Sequence, residues 1–316
     1  MPQKVILDVD TGTDDAVALM CAALHPALEL VAATTVNGNV EVQYCTENTL
    51  RTFDHIGVQV PVYEGIARPL VRDDFPIPQE DKAARIHGRY LDIPPSQSKK
   101  QDQHAVDFLV DYYLSPAGED TILVPVGPLT NVAMALRREP RLAERIPALV
   151  SMGGGHEIGN VTPSAEFNVW ADPEAARLVF RSGIKNVTLV PLDATHRALV
   201  SLEDCKKLRA LGTPAATAAA IFTERRIEGY REVFGEHVGS APVHDALALL
   251  SIVDPDVLRS VVHVYVDVET SGELTVGRTV IDTHNRTRKA PNARVALDAD
   301  EPRFVRLLME TLGRTA

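Results

Sequence analysis

The 316-residue sequence predicts a single α/β domain, with a mostly parallel central sheet flanked by helices. β-rich runs alternate with segments of helical spacing along most of the chain, a pattern typical of parallel sheets covered by helices on both faces. The runs at 6–9 and 122–126 are apolar apart from Asp8 and do not alternate, as expected for strands buried on both faces. One large α/β domain fits this length as well as two smaller domains do.

The β-rich runs predict strands that follow one another along the chain at 5–9, 30–36, 58–63, 121–126, 148–152, 187–192 and 261–268. Helical spacing predicts helices at 103–114, 172–181, 223–234 and 245–253. Residues 67–102 break the rhythm with five prolines and no sustained period, which predicts a long loop or lid. Turn residues at Ser271, Gly272 and Asn285 divide the tail 262–295 and predict a hairpin appended to the sheet.

The composition excludes several classes of function. Lys and Arg together number 32 and Asp and Glu 43, a net charge of -11 that disfavours binding to nucleic acid or to anionic membranes. The apolar run at 16–24 is about half as long as a membrane span needs. The first strand begins directly after Lys4 without a signal peptide, so we expect a cytoplasmic protein. The three cysteines are far apart and are expected to be buried and unpaired.

Four aspartates follow or end the first predicted strand, namely Asp8, Asp10, Asp14 and Asp15. They lie between a buried strand and an apolar helix, where like charges repel and require a cation. A set of carboxylates favours a hard ion such as Ca²⁺ or Mg²⁺ over zinc. In the alternative interpretation, Thr13 caps the helix and two of the acids stabilise its N-terminus. Because capping leaves Asp8 and Asp10 unexplained, the pattern favours a metal site.

Other motifs fit the acidic segment less well. An EF-hand loop beginning at Asp8 would need glutamate where Leu19 stands. Haloacid-dehalogenase-type phosphatases also carry an Asp-x-Asp pair after the first strand, but Gly12 departs from the residue that usually follows that pair. A phosphatase with Asp8 as nucleophile is therefore the weaker alternative. The sequence contains no P-loop, Rossmann glycine fingerprint, serine nucleophile elbow or His-Glu-x-x-His motif.

The acidic segment resembles the N-terminal signature of the inosine-uridine-preferring nucleoside hydrolases, which cleave the N-glycosidic bond of ribonucleosides. Six further blocks resemble that family in the same order, with similar spacing, over nearly the whole chain. The resemblance implies a Rossmann-like nucleoside hydrolase fold. The matching blocks are 8–16 (DVDTGTDDA), 34–39 (TTVNGN), 127–131 (GPLTN), 152–154 (MGG), 159–168 (GNVTPSAEFN), 192–196 (LDATH) and 243–245 (VHD).

The resemblance implies a single Ca²⁺ at the bottom of the pocket. Its expected ligands are Asp10, Asp15, Asp245 and the backbone carbonyl of Val126, completed by two ribose hydroxyls and a water. Asp10 is also the expected general base. The residue chemistry agrees, because carboxylates stabilise an oxocarbenium-like ribosyl cation and calcium lowers the pKa of its bound water. His244 is expected to protonate the departing base, since histidine titrates near neutral pH.

The resemblance also assigns residues to the substrate. Tyr230 is expected near the base. His87 is expected either to contact the substrate or to be a solvent-facing residue of a mobile loop, because the segment that follows it lacks a glycine that the family has. The residues expected to hold the water or the sugar hydroxyls, or to line the pocket beside them, are Asp14, Asn39, Met152, Asn160, Glu166, Phe167 and Asn168.

The predicted function is calcium-dependent hydrolysis of ribonucleosides to ribose and free base, in purine and pyrimidine salvage. The resemblance implies a homodimer or homotetramer, and it leaves the preferred base open. A ribose- or nucleoside-binding protein without turnover is a further alternative. The presence of both Asp10 and His244 favours an enzyme over such a sensor.

Overall fold

The computed structural model describes residues 1–73, 84–235 and 239–315 of the chain. The strands are β1 (Gln3–Val9), β2 (Leu28–Thr35), β3 (Val62–Glu64), β4 (Thr121–Pro125), β5 (Leu149–Met152), β6 (Val187–Val190), β7 (Leu199–Ser201), β8 (Ser240–Pro242), β9 (Leu258–Val264), β10 (Val266–Val268), β11 (Thr279–Ile281) and β12 (Ala293–Ala299). The α-helices are α1 (Thr13–Leu24), α2 (Val42–Ile56), α3 (Ala84–His87), α4 (Ala105–Leu114), α5 (Thr130–Arg138), α6 (Leu142–Arg145), α7 (Phe167–Ala171), α8 (Pro173–Phe180), α9 (Leu192–Thr195), α10 (Leu202–Leu211), α11 (Pro214–Phe234), α12 (His244–Val253) and α13 (Glu301–Leu312).

The predicted α/β class is confirmed by the central sheet. Within the described residues its strand order is β3-β2-β1-β4-β5-β6-β12-β9, and every pairing is parallel except that of β12 with β9. The chain moves outward from β1 to β3 on one side and then returns to place β4 on the other. Ligands of such sheets bind at the carboxyl ends of the strands where the strand order reverses. In this sheet the order reverses between β1 and β4, so a ligand site is expected among the residues that follow these two strands.

Strand β1 and helix α1 are buried in the centre of the molecule. Side chains of β1 alternate between two apolar clusters, with Val5 and Leu7 on one face of the sheet and Ile6 on the other. Helix α1 is buried along nearly its full length, and it packs against α2, α11, α12 and α13. A helix that is apolar all round requires such a covered position. Its acidic first turn is therefore buried rather than exposed at the surface.

The predicted C-terminal hairpin exists, but its placement at the sheet was wrong. Strands β10 and β11 pair with each other in a separate two-stranded sheet, whereas β9 and β12 extend the central sheet as an antiparallel pair. The side chain of Asn292 explains the break, because its carboxamide bonds both the N–H and the C=O of Val266. The two backbone groups of Val266, at the start of β10, are thereby satisfied by a side chain and not by a strand of the central sheet.

The predicted strand 261–268 is divided at Tyr265 into β9 and β10, which lie in different sheets. The other boundaries differ from the predictions by at most four residues, apart from the start of one helix. Helix α11 begins nine residues before the predicted start at Thr223, because Thr213 caps it and the alanine-rich segment 215–220 is buried. In the long segment 67–102, the described residues form little regular structure apart from α3, and Pro76 and Pro78 lie outside the described residues. The three cysteines are buried and free, as predicted. None of the helices in the described residues combines the length and apolar character that a membrane span needs.

Candidate active site

Four buried aspartates converge at the carboxyl end of β1. Asp10 follows the strand, Asp14 and Asp15 lie in the first turn of α1, and Asp245 lies in the first turn of α12. Carboxylate oxygens of Asp14, Asp15 and Asp245 lie within 4.8 Å of one another. Asp10 adjoins this trio, because its backbone N–H donates to Asp15 Oδ1 at 3.1 Å.

Backbone groups and Asn39 fix the orientation of these carboxylates. The N–H of Asn39 donates to Asp10 Oδ2 at 2.7 Å, and its side-chain amide donates to Asp15 Oδ2 at 3.3 Å. The N–H of Gly12 donates to Asp15 Oδ2 at 2.9 Å. Asp15 therefore caps α1 from within its first turn, and Gly12, not Thr13, is the N-cap residue. The capping interpretation identified the wrong residue for this role.

The chemistry of the cluster fits a hard divalent cation. Burial raises the pKa of Asp10, Asp15 and Asp245, and the neighbouring carboxylates raise it further. Ionised acids at such a position need a positive charge to offset the lost hydration. Oxygens that share one Ca²⁺ at about 2.3–2.6 Å lie at most ~5 Å apart, so the spacing of the trio is compatible with a common ion.

Val126 lies beside this cluster, immediately after β4. Its N–H donates to the carbonyl of Asp8 at 2.8 Å, which joins the ends of β4 and β1. Its carbonyl oxygen accepts a 2.6 Å hydrogen bond from the side-chain amide of Asn168. A Cβ on the next residue, Gly127, would lie 2.8 Å from Asp10 Oδ1, so glycine is required for this close approach.

The residues assigned to the sugar form a second group beside the first. Glu166 accepts backbone N–H bonds from Gly154, Asn168 and Val169, at 2.7, 2.9 and 3.2 Å. Its carboxylate thus caps α7 and joins the loop after β5 to that helix. Burial raises the pKa of Glu166 to about 7 in spite of these donors.

Three further predicted residues join this second group. The amide of Asn168 reaches the carbonyl and the sulfur of Met152 at 3.5 and 3.6 Å. Asn160 Oδ1 accepts the N–H of Phe167 at 2.9 Å, so that the loop before α7 is closed on itself. These hydrogen bonds join Met152, Asn160, Phe167 and Asn168 to the loop and helix that hold Glu166.

His244 lies at the start of α12 with both ring nitrogens engaged. The Tyr230 hydroxyl is 2.9 Å from Nε2, and the Thr195 hydroxyl is 2.7 Å from Nδ1. These partners come from α11 and α9, which hold the buried ring on both sides. Thr195 is a site residue that the sequence analysis missed, although it lies within one of the matching blocks.

His87, which belongs to the segment 67–102, contacts the first turn of α1. Its Nδ1 accepts the N–H of Thr13 at 3.3 Å and lies 3.8 Å from Asp14 Oδ1. Burial lowers the pKa of His87 to about 4, with Arg225 and Arg226 acting in the same direction. The neutral ring can therefore accept that hydrogen bond.

Arg226 is a second residue that the sequence analysis missed. Its guanidinium lies 2.8 Å from Asp14 Oδ1, and its side chain is only 2% exposed. In the sequence it appeared as one of several arginines on a polar helix, with no signal to separate it from exposed Arg231. Only the packing of α11 against α1 reveals its position.

The comparisons with known proteins agree with this geometry. Residues 5–306 match the family described as inosine-uridine preferring nucleoside hydrolase. The chain belongs to this family. An inosine-uridine preferring nucleoside hydrolase of Leishmania major is 40% identical over 99% of this chain and 98% of its own length. A pyrimidine-specific ribonucleoside hydrolase of Escherichia coli is 36% identical over 98% of this chain and 96% of its own. The solved structure of a purine-preferring ribonucleoside hydrolase from Gardnerella vaginalis superposes with a TM-score of 0.90 at 35% identity, covering 98% of each chain.

As a nucleoside hydrolase, the chain is an enzyme that splits ribonucleosides into ribose and a free base. The phosphatase alternative has no support in the structure. Asp8 is fully buried, and its Oδ1 accepts hydrogen bonds from Thr34 and Asn131 at 2.6 and 2.8 Å. A carboxylate enclosed in this way cannot attack a phosphate ester. The sensor alternative is likewise set aside by membership of a hydrolase family.

Proposed function

We propose that this nucleoside hydrolase depends on calcium, bound by Asp10, Asp15, Asp245 and the carbonyl of Val126. The supporting observation is the convergence of buried aspartates from two distant parts of the chain beside a buried histidine. The trio with the closest oxygens contains Asp14 in place of Asp10. We assign Asp14 to the sugar, because a buried guanidinium lies 2.8 Å from its Oδ1 and offsets its charge.

Calcium held by these residues would supply a bound water of lowered pKa. The Asp10 carboxylate would serve as the general base that takes a proton from the attacking water. The remaining carboxylates stabilise the positive charge that develops on the ribosyl ring as the N-glycosidic bond breaks. The residues proposed to orient the ribose are Asp14, Asn39, Asn160, Glu166 and Asn168, with Met152 and Phe167 lining the pocket.

His244 is proposed to supply the proton for the departing base. A base leaves poorly as an anion, and a proton delivered during bond cleavage lowers that barrier. The Tyr230 and Thr195 hydroxyls, hydrogen-bonded to the two ring nitrogens, hold the imidazole and can exchange protons with it. We place Tyr230 and His87 at the base end of the pocket.

We further propose that the segment 67–102 acts as a lid. The contacts of His87 with Thr13 and Asp14 support this role, because they join the segment to the acidic cluster. Replacing His87 with alanine should raise KM more than it lowers kcat. An unchanged KM would exclude the lid contact.

The proposed substrates are purine and pyrimidine ribonucleosides, as expected for base salvage. The relatives' names include inosine-uridine preferring, pyrimidine-specific and purine-preferring enzymes, so the family accommodates both classes of base. Reducing-sugar release from inosine, guanosine, uridine and cytidine would define the preference. We also propose a cytoplasmic homodimer or homotetramer, which light scattering of the purified chain and cell fractionation would test.

The proposed metal role is tested by Asp245→Asn, which keeps the shape of the side chain but removes its charge. Calorimetric titration of the metal-stripped variant should show calcium binding lost, and uridine hydrolysis should fall with it. Asp254→Asn is the matched control, because Asp254 ends the same helix and is paired with Arg303 instead. Calcium binding by Asp245→Asn with wild-type affinity would overturn the ligand assignment.

A further inference from the structure

Arg226 occupies an unusual position for an arginine. Among the ion pairs of the described residues, its pair with Asp14 is the one in which both side chains are buried, at 2% and 7% exposure. The same terminal nitrogen donates to the Thr13 hydroxyl at 3.2 Å, and Nε donates to the carbonyl of Pro242 at 2.9 Å. The guanidinium thus makes three contacts, two with residues of α1 and one with the segment that precedes His244.

This geometry places a cation beside one oxygen of the cluster. Asp14, Asp15 and Asp245 each offer an oxygen close enough to share an ion, and Asp14 Oδ1 lies 2.8 Å from the guanidinium as an ion pair, with no hydrogen bond within the described residues. A cation that is permanently charged, and whose N–H groups are held by acceptors on two segments, competes with a metal for that oxygen. Asp15 and Asp245 have no comparable arginine contact among the described ion pairs.

We propose that Arg226 is a positioning residue that withholds Asp14 from the metal and reserves it for a ribose hydroxyl. The proposal rests on the proposed function and deepens it. Arg226 acts through Asp14 and contributes no group to the reaction itself. It also offsets one of four buried negative charges, so its presence weakens the attraction of the cluster for a divalent ion.

Two opposite effects follow from removing the guanidinium. Arg226→Gln frees an oxygen of Asp14 and makes the pocket more negative, so the metal-stripped variant should bind calcium more tightly, on the order of tenfold. Asp14 then turns towards the ion and no longer selects the sugar. The ratio of kcat/KM for uridine to that for its 2′-deoxy or 3′-deoxy analogue should fall, on the order of tenfold, for the hydroxyl that Asp14 binds.

The experiment combines calorimetric titration of metal-stripped protein with kinetics on uridine and the two deoxy analogues. Arg226→Lys keeps the charge but not the fork of donors, so its calcium affinity should remain near wild type while the ribose selection recovers only in part. Asp14→Asn provides the pathway test, because Arg226→Gln should change the selection no further in that background. Arg231→Gln is the matched control on the same helix, since Arg231 is exposed and contacts Glu228.

The outcomes separate a positioning role from a structural one. If Arg226→Gln loses both calcium affinity and ribose selection, the arginine only stabilises the folded structure, and the proposal is overturned. Unchanged values of both quantities would overturn it as well. Should Arg226→Gln fail to fold, Arg226→Lys decides, and full wild-type selection in that variant would refute the role. Should the wild-type chain hydrolyse uridine without calcium, the metal assignment fails, and the ribose selection alone decides the role of Arg226.

Discussion

Replacing Asp8 with asparagine should remove a large pH dependence from the stability of the metal-free enzyme. Asp8 is fully buried in β1, where Oδ1 accepts two hydrogen bonds and Oδ2 has no hydrogen-bond partner within the described residues. Burial raises the pKa of this carboxyl to about 7, against the bonds from Thr34 and Asn131 that lower it. An asparagine oxygen can accept the same two bonds, but the amide never ionises.

The size of the effect follows from the shift. The pKa of Asp8 rises from the ordinary aspartate value of 3.8 to about 7 in the folded chain, roughly three units at ~1.4 kcal/mol each. Between these values the folded chain holds a proton that the unfolded chain has lost, so stability falls as the pH rises from about 4 to about 7. Of the total of ~4 kcal/mol, about 2–3 kcal/mol is lost between pH 5 and pH 8.

Urea unfolding of metal-stripped wild type and Asp8→Asn at pH 5 and pH 8 measures this term. The other buried acids are common to both proteins and cancel in the difference. Asp8→Asn should gain about 2–3 kcal/mol relative to wild type between the two pH values. An equal difference in stability at both pH values would refute the reasoning. After calcium is restored, Asp8→Asn should still hydrolyse nucleosides, because the Asp8 carboxyl does not take part in the proposed reaction.

Two further predictions concern the reaction and the metal site. His244→Ala should slow uridine hydrolysis by about 10²–10⁴-fold while largely sparing p-nitrophenyl riboside, whose leaving group needs no proton; equal losses on both substrates would exclude the general-acid role. Gly38→Ala places a methyl group against the Asp10 carboxylate. It should therefore weaken calcium binding and hydrolysis together with little change in far-ultraviolet circular dichroism, and wild-type calcium affinity in this variant would show that Asp10 can move without consequence.

The elements of the fold that carry strong local patterns could be predicted from the sequence. Largely apolar runs identified β1 and β4, and the acids that follow β1 marked the edge of the sheet where the aspartates converge. The hairpin formed by β10 and β11 was misplaced because its separation from the central sheet depends on the side chain of Asn292. A side chain that bonds the backbone of a strand, as Asn292 does, produces no periodic pattern in the sequence from which the contact could be predicted.

The site followed the same rule. The aspartates and His244 lie in short motifs whose residue types suit metal binding and proton transfer, so they could be named from the sequence. In the structure Asp14, Asp15 and Asp245 lie close together, and His244 precedes Asp245. Arg226 and Thr195 could not be assigned a role, because each acts through a contact with a residue distant in the chain. Tertiary pairing of this kind depends on how α11 and α9 pack.

The most direct test of the proposed calcium requirement is a calcium titration of the metal-stripped enzyme, followed by ribose release from uridine and inosine. The account predicts negligible hydrolysis without metal and a rise that saturates at one calcium per chain. Full turnover of both nucleosides by the metal-stripped chain in the presence of chelator would contradict it.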